Sequence, residues 1–387
     1  MLFLRVENKV NHIPDIDFLC TVGESTSRGN TDSIGQFGSG FVYTLALFAR
    51  KGILSACKIC LGKDVYTPFV ESTIKRDSSG NAREINKIGL KKQNGGKYDL
   101  NISVGFGEID WDDITMGVRE IISNAFDGAE TYDGTHKSVD ITEVQENQCR
   151  AADGVIRVYI PITDEISDYI SNIEDYFLCI KRNYNPNVRV LAKSSPGPCR
   201  ICRKGVFVGK FGTNSIFDYN LPNIPLNESR IVNEHQAKEC CAKAIIQNAR
   251  EDQLDRFVRD ILFNNNQGFW EGEFSQWDIN PNYMTNSKIC KERLDASIKR
   301  TLGIRTLCSN ELEREMVKSK GYVGIVPTKV FSDLVYQANV FKASSLLSEI
   351  EALGNTTIPA TDRVNEVLDE IWNRLVILNL TNGRKKP

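Results

Sequence analysis

The stretch Gly117-Val-Arg-Glu-Ile-Ile-Ser-Asn-Ala-Phe-Asp-Gly-Ala-Glu130 has a helical pattern with polar groups where a core helix should have none. Glu120 and Asn124 stand four residues apart and Asp127 three further on, a spacing that predicts one helical face for all three. A carboxylate and an amide so placed can serve one attacking water and one bound cation. Val118, Ile121, Ile122 and Ala125 supply the apolar flanks that would hold this face against a sheet.

A phosphate clamp must come from elsewhere. Ile34-Gly-Gln-Phe-Gly-Ser-Gly-Phe41 places Gly35, Gly38 and Gly40 directly before Val42-Tyr-Thr-Leu-Ala-Leu-Phe-Ala-Arg50, an apolar helical run. Glycines at a helix mouth let backbone N–H groups approach an anion, and the helix dipole adds to the attraction. A tight turn packed on a sheet is the alternative. Upstream, Thr21-Val-Gly-Glu-Ser-Thr-Ser-Arg28 offers hydroxyls and one guanidinium, either as a loop closing over phosphate or as a solvated ST-turn. Neither a Walker A sequence nor a GxGxxG fingerprint is present.

Three segments together resemble the GHKL (Bergerat-fold) ATPase superfamily, closest in wording to its heat-shock chaperone and microrchidia branches. Residues 34–41 look like its second glycine motif, Glu120–Asp127 resembles its N-box, and residues 21–28 are similar to its ATP lid. The N-box here follows the glycine motif, so the resemblance implies a circularly permuted domain, a rearrangement tolerated where termini lie close at a surface. The family's first glycine motif would fall at Val6-Glu-Asn-Lys-Val-Asn11, where Glu7 replaces an aspartate and both glycines are missing.

The resemblance implies ATP and Mg2+ as ligands. Glu120 would be the general base, Asn124 the magnesium ligand, and Gly35, Gly38, Ser39 and Gly40 the phosphate contacts. Ser25, Thr26 and Arg28 would close the lid, with Asp127 and Glu7 toward sugar or adenine. Hydrolysis would drive conformational change or closure of a homodimer. A nucleotide-binding scaffold that no longer hydrolyses ATP is the alternative from another class.

Composition narrows the partners. With 48 basic and 50 acidic side chains the formal charge is −2, so no global field recruits nucleic acid or membrane. A local basic run exists at 181–210, with Lys181, Arg182, Arg189, Lys193, Arg200, Arg203, Lys204 and Lys210 and no acid between. It could touch a nucleic-acid backbone or guard exposed strand edges. The N-terminal apolar run is short and interrupted by charge, and no long uncharged run follows, so the expectation is a cytoplasmic protein outside the membrane. The 11 cysteines are an odd, scattered set that reads as reduced thiols. Zinc at the pairs Cys57/Cys60 and Cys199/Cys202 is disfavoured because Cys57 and Cys60 occupy a strand-like run and would point to opposite faces.

The expected architecture is α/β (α+β). A two-layer sandwich nucleotide-binding domain of permuted GHKL type spans 1–163, a second α/β, transducer-like domain spans 164–270, and a small, mostly helical C-terminal domain spans 271–387. Strands are expected near 2–10, 52–60, 65–74, 97–104, 138–144 and 155–162, and helices near 164–182, 233–264, 341–353 and 361–378.

Overall fold

The computed structural model describes residues 1–16, 40–76, 78–107, 111–193, 195–227, 231–263, 268–338, 342–354, 367 and 369–374. They form a mixed α/β protein that divides into two compact units. The first comprises Met1–Leu191, Arg200–Phe211 and Asp218–Ala237, and the second comprises Ala192–Cys199, Gly212–Phe217 and Lys238–Pro387.

The first unit is built on β1 (Leu2–Lys9), β2 (Lys58–Leu61), β3 (Asp64–Arg76), β4 (Ala82–Lys92), β5 (Lys97–Ser103), β6 (Val139–Gln145) and β7 (Val155–Pro161). These make one seven-stranded sheet in the order β5-β4-β3-β2-β7-β1-β6, with every neighbouring pair antiparallel. Strand alternation sorts its side chains into two faces. Leu4, Val6, Ile59, Leu61, Ile88, Leu90, Val158 and Ile160 point to one face, where they meet the helices in the main core. Phe3, Cys60, Val144 and Tyr159 form a separate cluster.

Helices α1 (Gly40–Arg50) and α2 (Ile114–Asp133) cover the first face. Asp113 caps α2, accepting from the Thr115 N–H and Oγ1 at 2.8 Å each, and Gly134 ends it with φ 69°, its N–H donating to the Glu130 carbonyl at 2.9 Å. The two helices approach closely at Gly117, where a Cβ would lie 2.7 Å from the Phe48 ring. Arg50 at the end of α1 ties down the following loop, donating to the carbonyls of Val104 and Phe106 at 2.8 Å each and of Trp111 at 2.7 Å.

The helix expected over 164–182 is shorter. Helix α3 covers Asp164–Ser171 and a one-turn α4 covers Ile173–Tyr176. Phe177 then leaves helical geometry, at φ −133° and ψ 88°, to bridge to Val206 while fully buried. That tertiary pairing outweighs the local helical pattern. A second sheet follows in the order β10-β9-β11-β8, made of β8 (Val190–Ala192), β9 (Cys199–Arg203), β10 (Val206–Phe211) and β11 (Phe217–Asn220).

Helix α5 (Glu234–Asn248) leads into the second unit, which continues with α6 (Glu251–Phe257), a π-helical turn over Val258–Phe263, α7 (Ser287–Leu302) and α8 (Glu311–Ser319). Helix α8 lies between β12 (Thr306–Leu307) and β13 (Gly324–Ile325), a two-stranded parallel pair. Short α9 (Ser332–Tyr336) and α10 (Ala343–Gly354) follow. Of the helix expected at 361–378, most lies outside the described residues. Among the described residues no helix is long and apolar enough to cross a membrane.

Candidate functional site

Helix α2 buries Val118, Ile121, Ile122, Ala125, Phe126 and Ala129, and this apolar stripe fixes its rotation over the sheet. The same rotation turns Glu120 and Asp127 inward, to 2% and 9% exposure, while Asn124 stays half-buried. A buried carboxylate is expensive unless its surroundings favour charge. Glu120 packs against the first residue of α1: a Cβ built on Gly40 would overlap the Glu120 carboxylate, with the Cγ 2.9 Å away. The N–H groups of the first turn of α1 have no partner within the helix, and their dipole favours an anion there. The Gly40 carbonyl itself accepts from Thr44 Oγ1 at 2.9 Å, inside α1.

Glu120, Asn124, Asp127 and Gly40 are therefore on the helix-covered side of the sheet. Glu7 is not. It shares its strand face with Phe3 and Arg5, opposite Leu4 and Val6, and there it pairs with Arg157 and lies 4.0 Å from Arg5. Arg5 in turn pairs with Asp140, and Arg157 donates to the Arg150 carbonyl at 2.8 Å. The expectation that Glu7 joins Asp127 at the base or sugar is corrected: the sheet stands between them.

Asn8, the next residue of β1, lies instead on the α2 side of the sheet. It is 5% exposed, and its Nδ2 would lie 2.5 Å from a Cβ at Gly128, the residue after Asp127. Alternation in β1 carried the signal, since Asn8 follows Leu4 and Val6 at a period of two. The other expected ligands, Ser25, Thr26, Arg28, Gly35, Gly38 and Ser39, lie outside the described residues.

Within the basic run at 181–210, Arg189, Lys193, Arg200 and Arg203 make contacts inside their own units. Arg200 bridges to Asp175 at 3.3 Å and stacks over Phe207 at 5.4 Å. Arg203 is buried and donates to the Pro222 carbonyl at 3.2 Å, and Lys193 donates to the carbonyls of Gly197 and Pro198 at 2.6 and 2.7 Å. Arg189 donates to the Pro186 carbonyl.

The cysteine pairs do not converge either. Cys57 belongs to the helix-side core and Cys60 to the opposite cluster, so the two cannot ligate one ion. Burial raises both thiols, Cys60 to about 11 and Cys57 further, which disfavours the thiolate a metal needs. Among the described residues no group of three or more His, Cys, Asp or Glu side chains is placed to hold a metal. Asn124, one turn beyond Glu120, is half-buried and carries an amide oxygen.

No family model, curated protein or solved structure matches this chain.

Proposed function

We propose that this chain binds ATP with Mg2+ at the N-terminus of α1 and hydrolyses it, using the free energy for conformational change or dimer closure. The proposed domain is a permuted, two-layer GHKL-type sandwich. The observation that carries the proposal is the contact between the Glu120 carboxylate and the Gly40 backbone. A buried carboxylate at the start of a helix supports reading Glu120 as a general base beside bound phosphate.

In this mechanism the first-turn N–H groups of α1 bind the terminal phosphate oxygens. Glu120 orients the attacking water and takes its proton as the water oxygen approaches phosphorus in line with the leaving oxygen. Asn124 would offer its amide oxygen to the Mg2+, and the ion would supply charge neutralisation at the phosphates. Asp127 and Asn8 line the end nearer the sheet, where sugar or base would lie. The buried apolar flanks of α2 hold this geometry fixed between turnovers.

The test is Mg2+-dependent ATP hydrolysis by the wild type, Glu120→Gln and Asn124→Ala. Glu120→Gln should lose roughly 10²- to 10⁴-fold in turnover while still binding ATP. Equal turnover in all three proteins sinks the assignment. Tight ATP binding by a wild type without turnover selects the scaffold instead.

A further inference from the structure

The outer half of the β3–β4 ribbon leaves a strand edge open. Strand β2 pairs with β3 only over Asp64–Tyr66, whereas β4 accompanies β3 along its whole length to Arg76. Beyond Tyr66, no strand among the described residues covers the other edge of β3. The direction of the free main-chain groups follows from the ladder. Gln93 N–H donates to the Val65 carbonyl at 2.9 Å, so odd-numbered residues of β3 bond toward β4 and even-numbered ones face the open edge.

Pro68 is the first even residue past β2 and has no N–H to offer, which ends that ladder. Val70, Ser72 and Ile74 then present N–H and C=O outward. Val70 is 45% and Ile74 76% exposed, an unusual pair of apolar side chains on an open edge. Natural edges are guarded by lysine, proline and charge, and here the guards stand outside this core: Pro68 before it, Lys75 and Arg76 after it.

The pattern is complementary to itself. Laid antiparallel about Ser72, a second β3 places Val70 opposite Ile74 twice, with Ser72 opposite its own copy. All three positions are even, so these are hydrogen-bonded pairs, as the open edge requires. In the same register Glu71 stands diagonal both to Lys75 and to Glu71 of the other strand, and within its own chain it lies 3.7 Å from Lys97, so charge is not what selects this pairing. A shift by one residue would set bonded positions against non-bonded ones and lose the ladder.

We propose that two copies of this chain associate through the open edge of β3, antiparallel about Ser72, merging their seven-stranded sheets into one continuous sheet. The contact uses no element of the nucleotide site, so it is tested without nucleotide or Mg2+, and its outcome is separate from that of ATP hydrolysis.

Sedimentation equilibrium of the full chain should show a concentration-dependent dimer, with Val70→Lys/Ile74→Lys and Ser72→Pro each weakening it by about tenfold or more. Circular dichroism should show all variants folded, since the altered side chains and the Ser72 N–H face solvent in the monomer. The register is read by Glu71→Cys/Thr73→Cys. These positions face each other across the two-fold as a non-bonded pair, close enough for a disulfide. Copper-phenanthroline oxidation should convert this variant to a covalent dimer under conditions that leave the wild type, with its native thiols, uncrosslinked. A wild type that remains monomeric up to about 100 μM overturns the proposal. So does a dimer that the edge variants leave intact, or the absence of crosslinking in the cysteine variant.

Discussion

The Glu120 carboxylate is packed against the Cα of Gly40 so closely that no side chain at residue 40 could coexist with it. Gly40 thus lets α1 begin directly on the carboxylate, a close approach only glycine permits. Gly40→Ala should push the end of the Glu120 side chain aside, and the fold should survive because a flexible terminus gives way rather than backbone. The expected result is a loss of ATP hydrolysis comparable to that of Glu120→Gln, about 10²-fold or more, with far-UV circular dichroism unchanged. Full activity in Gly40→Ala would show that the contact is only packing.

Which face a residue of β1 occupies separates two further variants. Glu7→Gln alters a partly exposed ion network with Arg5 and Arg157 on the far side of the sheet. It should cost no more than about 1 kcal/mol in stability and leave ATP affinity unchanged. Asn8→Ala instead removes a buried amide beside Gly128 and should weaken ATP binding by roughly 2- to 10-fold, the worth of one neutral hydrogen bond. Isothermal titration of ATP into both variants, in Glu120→Gln background to stop turnover, gives the comparison directly.

The sequence announced the parts whose pattern is local. Helix α1, the α2 stripe and strands β1, β3, β5, β6 and β7 all follow from periodicity and turn residues. Strand β4 did not announce itself, because Ala82–Lys92 is mostly polar and its Gly89 reads as a break. That glycine is required by its neighbour across the sheet: a Cβ there would collide with the Phe69 ring at 2.5 Å. Helix spacing likewise brought Glu120, Asn124 and Asp127 to one face, and the glycine motif suggested what they face. Glu7 was suggested by its acid side chain alone, and strand alternation sets it on the face of β1 away from α2.

His136, just past the C-terminal glycine of α2, links stability to pH. Its ring lies 4.9 Å from Phe126, which packs on Phe177 at 5.6 Å, and burial holds the imidazole below its ordinary value of 6.5 despite the nearby Glu130 and Asp133 charges. The unfolded chain therefore binds the proton more readily than the folded one. Stability from this group is fully present above about pH 6.5 and is lost as pH falls through the lowered folded value. Urea midpoints measured between pH 7.5 and 5 should fall for the wild type more steeply than for His136→Gln. Parallel profiles would remove His136 from the account.

In the second unit, Glu271 is fully buried and accepts from Ser215 Oγ at 2.6 Å, from the Ile216 N–H at 3.1 Å and from the Phe217 N–H at 3.2 Å. Three donors converging on one carboxylate make an internal staple between Trp270–Glu273 and the chain at 215–217. Glu271→Ala takes the carboxylate from the Ile216 N–H and leaves the Phe217 N–H only Ser215 Oγ at 3.3 Å, and should cost about 1–3 kcal/mol, read as a lower urea midpoint. Glu271→Gln keeps one acceptor oxygen and should cost less. Cys241, fully buried in the same unit, supplies a second readout. Burial first, then contact with Cys199 and the Glu271 charge, keeps its thiol protonated and unreactive. Loss of the staple should open that region locally, so Cys241 should react with a thiol reagent severalfold faster in Glu271→Ala than in the wild type at the same pH. An unchanged rate together with an unchanged midpoint would mean that the staple stabilises nothing.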